Sequence, residues 1–238
     1  MVDLETDDGL AVITIDRPHA RNAISLETMD QLADALDGAD GARALVIKGA
    51  GEKAFVSGGD LKELALLRTE ADAAAMAWKM RSVCDRIAAF PGPVLAAVNG
   101  HALGGGAEVA VAADIRIAAD DVKIGFNQAA LAIMPAWGGA ERLAALVGKG
   151  RALLLAGTGS IMTAAEAHRV GLVDVVVPRA AFEDEWRSVA RKLSTPSAVA
   201  IKRVTAGASA DEAVAAFARL WASDEHWAAA DRVMNRAR

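Results

Sequence analysis

Residues 99–108 combine a run of glycines with a single carboxylate, and a short apolar segment at residues 93–98 precedes them. Proline before this segment and Asn-Gly after it predict a buried strand followed by a turn. Residues 104–106 are all glycine. The N–H groups that open the following helix can therefore approach a ligand without interference from side chains. Amide groups placed in this way can stabilise an oxyanion.

Glu108 is the only charged residue between Ala88 and Ala113. A carboxylate in apolar surroundings is costly unless it is hydrogen-bonded, and burial raises its proton affinity towards a catalytically useful range. We therefore interpret Glu108 as a candidate acid or base. A purely structural glycine turn is the alternative interpretation.

A second segment repeats this arrangement at residues 54–62, where a strand-like stretch leads through Gly58 and Gly59 into a predicted helix. The two glycine turns could face each other across one pocket.

The elements that must position these turns alternate along the chain. Strands are predicted near residues 10–15, 44–48, 94–98 and 114–118, with helical segments between them, which indicates α/β layers. Ser25 is the predicted N-cap of a helix that ends near Gly38, and a second long helix is predicted over residues 70–89. Beyond Phe182 the pattern is mostly helical. Because this part carries Trp221 and Trp227, we expect it to pack on its own body or on a neighbouring subunit.

Residues 57–60 and 104–108 together resemble the paired signatures of the crotonase superfamily, also called the enoyl-CoA hydratase/isomerase family. The resemblance begins near residues 15–23, continues through 135–143 and includes 158–174. It implies an α/β fold, a crotonase-like spiral of repeated β-β-α units over residues 1–180. A C-terminal helical trimerisation region would follow over residues 181–238. The implied assembly is a homotrimer or a dimer of trimers.

The resemblance also implies roles for single residues. The backbone N–H groups of Gly59 and Gly105 would form an oxyanion hole for a thioester carbonyl, and Glu108 falls on the first of two hydratase glutamates. Gln128 stands at the position of the second, and an amide has no proton to exchange near neutral pH. The candidate contacts to the acyl group or to coenzyme A are Arg21, Ala23, Ser57, Gly58, Asp60, Leu61, Lys62, His101, Gly104 and Trp137.

Trp137 departs from the family pattern, which has a small residue at this position. The indole either shapes the acyl pocket or packs beneath the helix that begins near Gly138, and both interpretations stay open here.

These residues support one leading function and two alternatives. The leading hypothesis is an acyl-CoA enzyme of the hydratase/isomerase class, in which the backbone hole stabilises a thioester enolate and Glu108 is the acid/base. Gln128 and Trp137 favour malonyl-type decarboxylation as the second. The third is a non-catalytic acyl-CoA binding protein, in which loss of the second glutamate has ended turnover.

Composition limits which other classes of protein the chain can belong to. The chain has 238 residues, 53% of them hydrophobic, and a net charge of −5 without a Lys/Arg-rich run, which gives no support for nucleic-acid binding. Cys84 is the single cysteine, so an internal disulfide is excluded, and neither a metal site nor a cofactor other than substrate CoA is predicted. The N-terminus is acidic, and prolines and glycines interrupt the long uncharged stretch at 87–107. We therefore predict a cytoplasmic protein without a membrane span.

Overall fold

The computed structural model describes residues 1–236, which form ten strands and eleven α-helices. The strands are β1 (Val2–Asp7), β2 (Leu10–Ile15), β3 (Ala44–Gly49), β4 (Ala54–Val56), β5 (Val94–Val98), β6 (His101–Leu103), β7 (Ile115–Ala119), β8 (Lys123–Gly125), β9 (Ile161–Thr163) and β10 (Val175–Val177). The helices are α1 (Leu26–Gly38), α2 (Leu61–Leu64), α3 (Glu70–Ala88), α4 (Gly105–Ala112), α5 (Gly139–Val147), α6 (Lys149–Thr158), α7 (Ala164–Arg169), α8 (Phe182–Leu193), α9 (Pro196–Thr205), α10 (Ala210–Trp221) and α11 (Asp224–Arg236).

The strands form two sheets between which the chain alternates. One sheet has the order β1-β2-β3-β5-β7-β10, and the other has the order β4-β6-β8-β9. The consecutive pairs β3–β4, β5–β6 and β7–β8 each give their first strand to the larger sheet and their second to the smaller one. A helix follows each pair, so the predicted α/β class and the repeated β-β-α units are confirmed.

Strand β5 lies at the centre of the larger sheet, in parallel pairing with β3 and β7. All five of its residues are buried, as expected for a strand that is covered on both faces. Its observed bounds agree with the predicted strand at 94–98. The predicted strand at 114–118 begins one residue later, and Asp114 just before it accepts a hydrogen bond from the backbone N–H of Val94 at 2.7 Å through its carboxylate.

The two predicted long helices are present with side-chain caps. The hydroxyl of Ser25 accepts a hydrogen bond from the N–H of Thr28 at 3.1 Å, and α1 then runs to Gly38. Helix α3 buries Cys84 and Ile87 in the core. Burial raises the pKa of the Cys84 thiol to about 12, which makes the thiolate an unfavourable species at this position.

Beyond α8 the chain leaves the core. None of the side chains described between residues 196 and 235 is buried, and Phe217 is 61% exposed. An ion pair of 2.7 Å between Lys202 and Asp114 ties α9 to the body of the protein. The body of the protein therefore buries none of the described side chains of this segment, and packing on a neighbouring subunit stays a prediction. Within residues 1–236, no helix is both long and apolar enough to cross a membrane.

Candidate active site

The two glycine turns lie side by side. Gly58 has a φ of +104°, and a Cβ added there would lie 3.5 Å from the backbone nitrogen of Gly105. Ile24 holds the first turn in place, because its N–H donates to the carbonyl of Gly58 and its carbonyl accepts from the N–H of Asp60, both at 2.8 Å. The backbone of one turn therefore reaches the start of the helix that follows the other.

Two backbone N–H groups at this junction are unpaired. Gly105 is the first residue of α4, where an N–H has no partner within its own helix. Among residues 1–236, the N–H groups of Gly59 and Gly105 donate to no acceptor. An amide in this position can bind a negatively charged oxygen.

Glu108 lies one helical turn beyond Gly105, and its side chain is only 2% exposed. Its Oε2 accepts hydrogen bonds from the backbone N–H groups of Trp137 at 2.7 Å and Gly139 at 3.0 Å. Its Oε1 accepts one hydrogen bond, from the Nε2 of Gln128 at 2.9 Å. Since each carboxylate oxygen can accept two hydrogen bonds, Oε1 retains a lone pair that can take a proton.

Burial raises the pKa of Glu108 above the ordinary glutamate value, although the donors of Gly139, Trp137 and Gln128 oppose this shift. The cause of the burial is the composition of α4, in which every other residue is glycine, alanine or valine and all are buried. The sequence prediction of an isolated carboxylate in apolar surroundings therefore agrees with the structure.

Gln128 lies in a short 3-10 turn, Asn127–Leu131, and is only 7% exposed. Its Nε2 donates to Glu108, while its Oε1 has no hydrogen-bond partner within residues 1–236. A Cβ added at Gly104 would lie 3.9 Å from the Cδ of Gln128, so this amide stands beside the second glycine turn.

The Trp137 indole lies against both glycine turns. A Cβ added at Gly105 would meet its Cζ3 at 2.1 Å, and a Cβ added at Gly59 would lie 3.9 Å from its Cη2. The side chain is only 6% exposed. The sequence left two interpretations open. The position of the ring favours the first, in which the indole forms a wall of the site.

A cavity of about 360 Å³ lies beside the two turns, lined by Ser57 just before the first and by His101 and Leu103 just before the second. It brings together three of the predicted contact residues, Arg21, Ser57 and His101. It also contains Lys53 and Arg179, which the sequence reasoning missed. Arg179 lies far along the chain from the glycine turns, and its ion pair with Asp121 and its hydrogen bond to the carbonyl of Asn99 at 2.6 Å hold it at the cavity. No local sequence signal points to it.

Other predicted contact residues have structural roles or lie elsewhere. Asp60 forms an ion pair of 2.9 Å with Arg17 and caps α2 through the N–H of Lys62. Burial opposes the shift, but the hydrogen bond and charge of Arg17 lower the pKa of Asp60. Ala23 is buried, and its carbonyl accepts a hydrogen bond from Arg17. Leu61 and Lys62 are exposed in the first turn of α2 and do not line the cavity.

Comparisons with known proteins identify the family of the chain. A family model described as enoyl-CoA hydratase/isomerase matches residues 5–225. The chain is 38% identical over 202 residues to a short-chain-enoyl-CoA hydratase of Clostridium acetobutylicum. The aligned residues cover 84% of this chain and 77% of the relative. It is 37% identical over 209 residues to a crotonyl-CoA hydratase of Syntrophomonas wolfei, with coverage of 87% and 80%. The crystal structure of an enoyl-CoA hydratase from Thermoplasma volcanium superposes with a TM-score of 0.85 at 33% identity, over 97% of this chain and 96% of that one. The chain therefore belongs to the enoyl-CoA hydratase/isomerase family, and it is an enzyme of this kind with the crotonase fold.

Proposed function

We propose that the protein stabilises the enolate of an acyl-CoA thioester and moves a proton with Glu108. The N–H groups of Gly59 and Gly105 bind the thioester oxygen. The observation that carries this proposal is the pair of unpaired amides on adjacent turns, next to a buried carboxylate with one free lone pair.

The two amides act by drawing charge onto the thioester oxygen. This makes the neighbouring carbon acidic and makes a conjugated double bond electrophilic. One such donor contributes about 10²–10³ in rate, and a positioned acid or base adds roughly 10²–10⁴. Because the donors belong to the backbone of folded turns, they need no reorganisation when charge develops.

Glu108 is the proton carrier in this proposal. Its Oε1 takes a proton from the acidified carbon and returns it to another atom of the same substrate. Moving a double bond needs only this one group. Addition or loss of water needs two proton transfers, and Glu108 performs both in turn, since the Gln128 amide cannot exchange a proton near neutral pH.

Malonyl-type decarboxylation fits the observed polarity less well. A malonyl substrate carries a second carboxylate near the reacting carbon. The free lone pair of Glu108 and the Oε1 of Gln128 are both acceptors, so they would repel this anion.

Coenzyme A requires a local basic surface on a chain whose net charge is −5. The cavity of about 360 Å³ is lined by Arg21, Lys53 and Arg179 and also by Glu52 and Asp121, so its lining has one more basic than acidic side chain. Guanidinium and ammonium groups are the usual partners of phosphate. We assign the phosphate groups of CoA to this cavity.

The protein assembles as a homotrimer or a dimer of trimers in this proposal. The support is the row of exposed apolar side chains on the C-terminal helices, which find no cover in their own chain among residues 196–235.

The decisive experiment is a substrate panel of enoyl-CoA, β,γ-enoyl-CoA and methylmalonyl-CoA, with the products read by mass spectrometry. We expect turnover of the first two and no release of carbon dioxide from the third. Glu108→Gln should lower kcat by about 10²-fold or more while CoA affinity is retained. Tight CoA binding without turnover of any thioester would reject the catalytic proposal and support a non-catalytic binding protein.

A further inference from the structure

The turn that holds Glu108 is itself held from outside by Arg142. The N–H groups of Trp137 and Gly139 donate to the Oε2 of Glu108 at 2.7 Å and 3.0 Å. Between these two donors lies the peptide group that joins Trp137 to Gly138, and its carbonyl accepts a hydrogen bond from the Nη1 of Arg142 at 3.1 Å. Three successive peptide groups therefore alternate, with two N–H groups towards the carboxylate and one carbonyl towards the guanidinium.

Gly138 makes this alternation easy to lose. Its φ is +87°, and glycine adopts positive and negative φ values about equally. The peptide group between Trp137 and Gly138 can therefore rotate at little cost unless its carbonyl is held. Within residues 1–236, Arg142 is the only donor to that carbonyl. The guanidinium lies directly over Gly138, where an added Cβ would overlap its Nη1.

Helix electrostatics does not explain the position of this guanidinium. Arg142 belongs to the first turn of α5, and its side chain points back to the N-terminus of the helix, which carries partial positive charge. A cation is disfavoured at this end. The carboxylate of Asp85 in α3 offsets the cost, because it accepts a hydrogen bond from the Nη2 of Arg142. One guanidinium therefore bridges α3 and the turn before α5.

The other ionisable groups near Glu108 do not hold its carboxylate. In α3, burial and then the charge of Glu108 raise the pKa of the Cys84 thiol to about 12. The hydrogen bond to Glu141 in α5, and to a smaller extent the charge of Glu108, raise the pKa of Arg81. Of the strands packed on α4, β4 and β5 carry no ionisable side chain, and His101 of β6 is exposed. Within residues 1–236, none of these groups donates a hydrogen bond to the carboxylate.

We propose that Arg142 is a positioning residue for the reaction: it holds the carbonyl of Trp137 outward, so that the N–H groups of Trp137 and Gly139 stay on the Oε2 of Glu108 and leave Oε1 free for the proton. The inference rests on the proposed function, in which Glu108 carries the proton. Arg142 acts through the turn and exchanges no proton itself. Without it the turn relaxes, Oε2 loses its donors, and the ionised carboxylate becomes less stable.

Arg142→Met tests this role, because it removes the guanidinium and keeps an unbranched apolar stem. We expect kcat for crotonyl-CoA to fall about tenfold or more, since the carboxylate is no longer oriented, while the affinity for CoA stays within about twofold. The acid limb of kcat/KM, which reports ionisation of Glu108, should move to higher pH. The physical reason is that the lost hydrogen bonds favoured the charged form.

Asp85→Ala separates position from charge. Loss of the positive charge of Arg142 would by itself raise the pKa of Glu108, whereas loss of the negative charge of Asp85 would by itself lower it. Asp85→Ala also releases the guanidinium from α3, so the loosened turn should still lower kcat and move the acid limb to higher pH. This variant carries the test alone if Arg142→Met does not fold. An acid limb that fails to move to higher pH in either folded variant overturns the inference.

Arg86→Met is the matched control. Arg86 makes the same pair of contacts, with its Nη1 on the carbonyl of Ala33 at 3.2 Å and its Nη2 on the carboxylate of Asp37, but it joins α3 to α1. It should lower the stability to urea and leave kcat and the acid limb unchanged. An equal shift of the acid limb in this control would trace the shift to lost stability and overturn the inference. If Glu108→Gln retains full turnover, the proposed function fails as well.

Discussion

The indole of Trp137 lies so close to Gly105 that a Cβ on Gly105 would meet Cζ3 of the ring at 2.1 Å. Contacts this short do not occur between a real Cβ and a neighbouring atom, so residue 105 has no side chain as long as residue 137 has this ring. The same ring stands 3.9 Å from the Cβ position of Gly59. One side chain therefore restricts the space in front of both proposed oxyanion donors.

This relationship predicts a non-additive effect on stability. Gly105→Ala should lower the free energy of unfolding by about 1–3 kcal/mol, because the new methyl group overlaps the indole. In the background of Trp137→Ala, the same substitution should be neutral or stabilising, since alanine favours a helix over glycine by about 1 kcal/mol. Urea unfolding of the four proteins in the double-mutant cycle gives the coupling.

Gly150→Ala is the control for this cycle. Gly150 lies in α6, and a Cβ added there would contact no atom within 4 Å. Its replacement should stabilise both backgrounds by roughly 0.5–1 kcal/mol. Equal losses from Gly105→Ala with and without the indole would show that the overlap has no energetic effect.

The ring should also determine which acyl groups enter. Replacing Trp137 by alanine opens space beside both glycine turns, so turnover of long or branched acyl chains should improve relative to crotonyl-CoA. We expect the ratio of kcat/KM for an eight-carbon to a four-carbon enoyl-CoA to rise at least about tenfold. Trp137→Phe retains an aromatic ring, so its ratio of kcat/KM values should lie between those of the wild type and Trp137→Ala. An unchanged ratio in both variants would mean that the acyl chain leaves the site by another route.

The elements that the sequence predicts well are those with a strong local signal. The strand at Val94–Val98 is a continuous apolar run between proline and Asn-Gly, and α1 has the serine cap and helical spacing that define its bounds. Strands β6, β8 and β9 have only three residues each and pair with distant segments. Periodicity cannot identify so short an element, because its pairing is fixed by the tertiary fold.

The same distinction holds for the site. The burial of Glu108 follows from the apolar residues around it in the sequence, whereas its donors Gln128, Trp137 and Gly139 come from turns at least twenty residues away. Asp60 illustrates the same limit. Its place in a glycine motif predicts a ligand contact, and that prediction stays untested, whereas the ion pair of its carboxylate with Arg17 is a contact that spacing along the chain does not reveal.

The burial of Glu108 predicts the pH dependence of activity. Glu108 must be ionised to act as a base, so kcat/KM should fall as the pH drops through its pKa. Because burial raises this pKa, the midpoint of the acid limb should lie above the ordinary glutamate value of 4.5. Asp60 cannot produce this limb, since its pKa is lowered. A pH profile of kcat/KM for an enoyl-CoA gives the midpoint, and a value below 4.5 would exclude Glu108 as the essential base.

The raised pKa of Glu108 also predicts how ionisation of this residue changes the stability of the fold. Its folded-state pKa lies above its unfolded-state value, so the ionised side chain disfavours folding at pH values above the folded-state pKa. This cost is relieved as the pH falls through that pKa. Glu108 itself should therefore not contribute to acid denaturation, and unfolding of Glu108→Gln, compared with the wild type, should show a smaller gain in stability on mild acidification.

The aromatic cluster on the C-terminal helices predicts where copies of the chain meet. The rings of Phe217 and Trp227 lie 5.6 Å and 5.5 Å from that of Trp221, and all three side chains remain about half exposed or more. Exposed aromatic surface of this size is costly in a monomer, so it should be covered by a neighbouring subunit. Sedimentation analysis should give three or six times the monomer mass, and Trp221→Ser should shift the protein towards monomer. Trp78→Ser, which removes an exposed indole from α3, should leave the assembly intact. If both variants sediment like the wild type, the aromatic cluster is not the contact that holds the subunits together.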